Sequence, residues 1–200
     1  MASTFILLLL SFSIFPLFII HGTQEDKKHY TLIQKTCEFG SHNFTTDIHY
    51  DFCTSALESR PARECQTLRG VGMASIRLVI ANVTDTRRHI QAVVHSGKVR
   101  PWVKRCIDEC SDLYDSALIG VEEAMTNYKS QDYTQAQYGI DQVIDMAGLC
   151  EDLFAVGSQD TPAGGCGGGV SPFSARNNNA MELSAMVLAV MRLLQEGRVH

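Results

Sequence analysis

The chain has 200 residues, 45% of them hydrophobic and 20% charged, with a formal net charge of −5. Its Lys and Arg residues are scattered without a basic stripe, which argues against nucleic acid as the partner. The length suits one domain around a single core.

Residues 1–22 open on "MASTFILLLLSFSIFPLFII", a stretch with no charged side chain. The apolar run is short for a spanning helix, and Pro16 interrupts it. It is expected to be a signal peptide, cut near Gly22, and residues 23–200 then form the mature domain. All seven cysteines fall in that part. In a secreted chain they imply disulfides, and an odd number leaves at least one unpaired within the chain. Asn43-Phe44-Thr45 and Asn82-Val83-Thr84 are glycosylation sequons compatible with secretion. No later segment is apolar enough to span a membrane.

Residues 27–60 are the least regular. Short helical patches are expected near Leu32–Cys37 and Tyr50–Leu57, separated by the Gly-, Ser-, Asn- and Thr-rich stretch 40–46. Cys37 and Cys53 would close a local loop, a link contributing about 3 kcal/mol on chain-entropy grounds. This segment reads as a small stapled appendage that docks on, or projects from, a larger body.

Residues 66–96 carry a long helical pattern. Leu68, Val71, Ser75, Leu78, Val79, Asn82, Ile90, Val93 and Val94 mark its apolar face. Gly70 and Gly72 lower helix propensity and blur its start. Ser96-Gly97 supplies a stop, and Pro101 suits the first turn of the next helix.

The stretch from Cys106 to Phe154 is the centre of the chain. Cys106, Cys110, Leu113, Tyr114, Ala117, Val121, Ala124, Met125 and Tyr128 recur at helical spacing, as do Tyr133, Ala136, Ile140, Val143, Ala147, Cys150 and Phe154. The polar "NYKSQD" between the two stripes predicts an antiparallel helical hairpin. Folded near Ser130, it sets Cys110 and Cys150 at one height on facing stripes, within disulfide reach.

Residues 157–176 are rich in glycine and read as a loop. A final helix follows, with Asn179 and Glu182 in the spacing of a capping box. Met181, Ser184, Val187, Leu188, Met191 and Leu194 line its core side, and Gly197 ends it. The fold class is therefore all-α: an up-down-up-down four-helix bundle over 64–196, preceded by the stapled appendage at 27–60.

Catalytic patterns are missing. There is no G-x-S-x-G elbow, phosphate loop or H-E-x-x-H, and no two histidines lie four apart on a helix. Cys106 and Cys110 share a helix face, but in a secreted chain they read as disulfide or buried thiols before metal ligands. Glu122-Glu123 and Asp141/Asp145 fall outside the apolar stripes and read as a solvated face. Nothing calls for a cofactor or a metal, and a binding protein is the expectation.

Several motifs then carry a resemblance: "TC" at Thr36–Cys37, "HYDFC" at His49–Cys53, "DECSDLYDSA" at Asp108–Ala117, "YKSQDY" at Tyr128–Tyr133, "CEDLF" at Cys150–Phe154 and the closing "ELSAMVLAVMRLL". Together they resemble the plant invertase and pectin methylesterase inhibitors, in the branch similar to the plane-tree pollen allergen. The resemblance implies a four-helix bundle with an N-terminal helical hairpin extension. It implies one disulfide in the extension, at Cys37 and Cys53, and one between the second and third bundle helices, at Cys110 and Cys150. It also implies a non-catalytic protein of the cell wall, or apoplast, that covers the active site of an acid invertase or a pectin methylesterase.

Invertase inhibitors of this family carry Pro-Lys-Phe at the start of the third bundle helix. Here the matching residues are Gln131-Asp132-Tyr133, the candidate target contact. Loss of the proline and lysine shifts the expectation toward pectin methylesterase, with acid invertase as the alternative. A storage or allergen-like bundle without a target enzyme is the reading from another class. Cys65, Cys106 and Cys166 are additions to the family pattern. Cys106 and Cys166 fall at the same end of an up-down bundle and could pair, whereas Cys65 falls at the other end.

Overall fold

The computed structural model describes residues 22–43, 48–97, 99–155, 166 and 169–197. Residues 1–21 of the expected leader lie outside these. The described residues form seven helices: α1 (Gly22–Asn43), α2 (Tyr50–Leu57), α3 (Arg60–Arg63), α4 (Leu68–His95), α5 (Pro101–Lys129), α6 (Tyr133–Ala155) and α7 (Ser174–Gln195). The last four are the bundle, and the first three are the extension.

The extension docks. Its α1 packs on α7, where Gly40 leaves room for the side chains of Ile48 and Ala189. The Arg192 guanidinium lies 6.0 Å from the Phe39 ring centroid. The His49 N–H donates to Glu182 Oε1 at 2.7 Å, and its ring Nδ1 lies 3.1 Å from the same oxygen. Cys37 and Cys53 are disulfide-bonded, with Cα atoms 5.6 Å apart, and both are buried. The two short helical patches expected here differ from what forms, because the first continues as a single helix from Gly22 to Asn43.

Helix α4 buries Leu68, Val71, Ser75, Val79 and Ile90 of the expected face, but the face is broader and shifted at its edges. Val71, Gly72, Ile76, Val79, Val83, Thr86 and Ile90 are buried, whereas Leu78, Val93 and Val94 lie at the margin. Near its start the helix meets Tyr128. Its buried ring sits against Gly72, where an added Cβ would fall 2.1 Å from the phenolic oxygen, and its hydroxyl donates to the Arg69 carbonyl at 3.0 Å. Gly72 thus costs helix propensity locally but admits a fully buried tyrosine at that end of the bundle. Thr67 caps the helix by accepting from the Gly70 N–H.

Helix α7 also starts elsewhere than expected. It begins at Ser174, so Asn179 and Glu182 form no capping box. Glu182 is used by His49 instead. Asn177, expected near the helix start, is buried in the core. It accepts from the Tyr114 hydroxyl at 2.8 Å and donates to Glu151 Oε2 at 2.8 Å. The Ser174 hydroxyl donates to the other oxygen of Glu151. One polar chain thus joins α5, α6 and α7, and every buried member has a partner, as low dielectric requires. Burial pushes the Tyr114 hydroxyl well above the usual tyrosine range, so it stays a donor.

Helices α5 and α6 pack backbone against backbone. A Cβ on Gly139 would lie 2.3 Å from the Gly120 carbonyl oxygen, so the two backbones touch there. We expect Gly139→Ala to force the helices apart and destabilise by about 1–3 kcal/mol, the usual range for overpacking. Gly148→Ala on the same helix meets nothing within 4 Å and should stabilise by roughly 0.5–1 kcal/mol through helix propensity. Urea unfolding of both variants checks the contrast; equal shifts would contradict the close approach.

Candidate binding surface on the central hairpin

The hairpin is fixed at both ends. At the open end Cys110 and Cys150 are bonded, with Cα atoms 5.0 Å apart. Cys106 is bonded to Cys166, with Cα atoms 6.3 Å apart, which ties the α6–α7 connection to the start of α5. The Cys166 N–H donates to the Leu153 carbonyl at 3.1 Å. Cys65 carries no disulfide. Partial burial raises its thiol above the ordinary cysteine range, with Arg77 opposing that shift.

At the closed end, the turn is built by the residues singled out from the sequence. Gln131 has φ +63°. The Gln131 N–H donates to the Tyr128 carbonyl at 3.0 Å and the Asp132 N–H to the Asn127 carbonyl at 3.0 Å. That is the paired-bond pattern of a Schellman C-cap, with glutamine in the left-handed position that glycine usually occupies. Asp132 then caps the next helix, accepting from the Gln135 N–H at 3.1 Å. The half-buried Tyr133 sets its ring against Tyr128 at 5.3 Å between centroids and 61° between planes. The Arg69 guanidinium donates to the Lys129 carbonyl at 2.9 Å, closing α4 onto this end.

Between the two ends lies an exposed face. Ile119, Glu122, Glu123, Thr126 and Asn127 line a shallow depression on α5. Gln142 on α6 donates to the Ser116 carbonyl at 3.3 Å and marks the seam between the helices. Tyr138, one turn before Gln142, is 65% exposed, and Ile119 is 58% exposed. Two large apolar groups therefore stand in water among carboxylates. Burial raises the Asp141 carboxyl above its ordinary range, and the neighbouring Asp145 adds to the shift.

The sequons differ in placement. Asn82 is half-buried within the 28-residue α4, and its Oδ1 is shut off from solvent without a hydrogen-bond partner among the described residues. That is not the exposed loop a glycan acceptor occupies. Asn43 ends α1, and its side chain lies outside the described residues. No group of three or more His, Cys, Asp or Glu among the described residues could hold a metal ion. No described helix is long and apolar enough to cross a membrane.

Residues 31–190 match the family described as plant invertase/pectin methylesterase inhibitor. The chain belongs to that family. As a member it is a protein inhibitor directed at pectin methylesterase or invertase, and not a catalyst. It is 30% identical over 163 residues to a Platanus acerifolia protein named "Putative invertase inhibitor", covering 82% of this chain and 85% of that protein. It is also 30% identical over 102 residues to an Actinidia deliciosa protein named "Pectinesterase inhibitor", covering 51% and 55%. The fold is similar to the crystal structure of mutant form A of an Arabidopsis pectin methylesterase inhibitor, with a TM-score of 0.61 and 19% identity, covering 77% of this chain and 95% of that one.

Two substitutions separate turn architecture from surface charge. Asp132→Ala should cost about 1 kcal/mol, the usual value of a lost N-cap, measured by thermal or urea unfolding. Asp141→Asn should raise the melting temperature at neutral pH. The folded state raises the Asp141 pKa, so its ionised form destabilises the fold above the unfolded pKa, and that penalty disappears once both states are protonated. The gain should therefore vanish as pH falls below the carboxylate range; a gain independent of pH would contradict the assignment.

Proposed function

We propose that this chain is a secreted cell-wall inhibitor of pectin methylesterase, and that it binds its target through the α5–α6 hairpin. The observation that supports the choice of target is the turn. All three of its residues are committed to architecture: Gln131 to the helix C-cap, Asp132 to the next N-cap, and Tyr133 to packing on Tyr128. No lysine stands among them to enter a substrate cleft, as the Pro-Lys-Phe of invertase inhibitors does. What the hairpin offers instead is breadth, a face where Ile119 and Tyr138 can lose water against a partner while carboxylates surround them. Three disulfides among the described cysteines favour an oxidising, extracellular setting.

The mechanism needs rigidity and no chemistry. Ordering a loose surface on binding costs affinity, and the hairpin is ordered beforehand by a disulfide, a glycine contact and a double cap. Acid invertase is the second reading, favoured by the name of the Platanus relative.

Titration of the purified protein against a plant pectin methylesterase and an acid invertase at mildly acidic pH tests the choice. Inhibition of the esterase at stoichiometric excess, weakened about tenfold or more by Tyr138→Ala as expected for an interface anchor, is the expected result. Inhibition of invertase alone would reverse the target, and inhibition of neither would leave a bundle without these targets.

A further inference from the structure

The mild net charge conceals a sharp partition. From Cys106 to Phe154 the chain has eleven Asp and Glu and a single basic residue, Lys129. Immediately before it, residues 86–105 hold six Lys and Arg and two His with no acid. The fold places the described members of this basic segment at one corner of the bundle. Arg87 is half-buried and paired with Asp115 of α5, but Arg88, His89 and His95 are in the last two turns or so of α4, and Arg100, Lys104 and Arg105 begin α5. At 1.5 Å rise per residue, all lie within about 10 Å of the same end. The latter six are exposed. The corner also receives the N-terminus of the 29-residue α5, whose first turn carries no acid and whose dipole end is positive.

Two features define what could bind. First, the described side chains exposed at this corner are dominated by positive charge, whereas Ile119 and Tyr138 stand farther along the hairpin. Second, the ion pairs of Arg88 and Lys104 are weak competitors. Arg88–Asp85 (3.3 Å) and Lys104–Asp108 (2.6 Å) are between exposed groups, and such pairs contribute at most about 1 kcal/mol. A hydrophilic, multivalent anion fits both features. Guanidinium groups accept carboxylates in a two-pronged geometry, and several weak contacts along one chain add up by multivalency.

We propose that this α4–α5 corner is a binding site for a linear carboxylate-bearing polysaccharide, namely de-esterified pectin. The choice among polyanions rests on the reading of pectin methylesterase as the target. Hydrolysis of a pectin methyl ester releases methanol and leaves a carboxylate on the polymer. An inhibitor that holds the product through one corner and the enzyme through the opposite-charged hairpin is concentrated where the enzyme has already acted.

Affinity electrophoresis of the full mature chain through gels containing polygalacturonate, or fully methyl-esterified pectin of the same length, tests this. Retardation by polygalacturonate alone, reversed by salt, is expected. The Arg100→Ser, Lys104→Ser, Arg105→Ser triple variant should bind about tenfold more weakly or worse, the loss expected when about three polyanion contacts are removed, with its melting temperature followed as a folding control. Its inhibition of pectin methylesterase on a short soluble substrate should match the unmodified protein, which keeps this proposal separate from the assignment of the target. Equal retardation by both polymers, unchanged retardation of the triple variant, or a variant that loses inhibition together with retardation would each overturn it. So would salt-sensitive self-association in sedimentation that the same variant abolishes, which would name a second copy as the occupant.

Discussion

The contact between the Gly120 and Gly139 backbones sets the geometry of the bundle. With no Cβ at either position, α5 and α6 approach until a carbonyl oxygen occupies the space a side chain would need. Everything else along the hairpin must then agree with that spacing. The Cys110–Cys150 disulfide, 40 residues apart in sequence, has Cα atoms 5.0 Å apart, a separation only closely packed helices provide. The turn must reverse the chain over three residues, which forces Gln131 into the left-handed region. On chain-entropy grounds the disulfide contributes roughly 4 kcal/mol, but its larger effect is on uniqueness. It selects the register in which the two glycines meet.

Helix α7 completes the core by a different means. Ala180, Ala185, Met186, Val187, Ala189, Val190 and Met191 are all buried, so this helix is surrounded on most sides. A helix apolar all round has no stripe to fix its rotation. The polar chain Tyr114–Asn177–Glu151–Ser174 supplies that information, because its hydrogen bonds are satisfied in one rotation only. The same helix holds the extension through Glu182 and His49, so the outer elements inherit their placement from a buried asparagine.

Most of this plan was legible in the sequence where periodicity and chemistry coincide. The α5 and α6 stripes identify the hairpin because helical spacing and cysteine spacing agree. The glycine stops at Gly97 and Gly197 have the positive φ their positions require. What escaped were residues whose role depends on a partner far away in the chain. Gly72 reads as a helix weakness until Tyr128 is placed against it. Asn179 and Glu182 read as a cap until Ser174 opens the helix a turn earlier and His49 claims the carboxylate. Asn177 reads as a helix-starting polar residue, and only three-dimensional packing shows it buried. Gln131-Asp132-Tyr133 stood out as a departure from a binding motif, while its capping role is visible only in the backbone.

That double identity of the turn bears on how targets can diverge within one fold. A residue that caps two helices cannot be changed freely for binding, because each substitution also alters the hairpin that presents it. The exposed faces of α5 and α6 carry no such burden. Ile119, Glu122, Glu123 and Tyr138 project from helical positions whose backbone bonds are already made, so they can vary at little cost to the fold. A bundle whose turn has become structural is therefore left with its flat helical faces as the adaptable surface. Broad faces suit a target that is covered over a wide area better than one that is entered by a single side chain. The same reasoning applies to charge. Acids gathered on the hairpin and bases on the adjoining corner add little to core packing, since they lie outside the buried stripes, and they divide the surface into two regions that can engage chemically different partners.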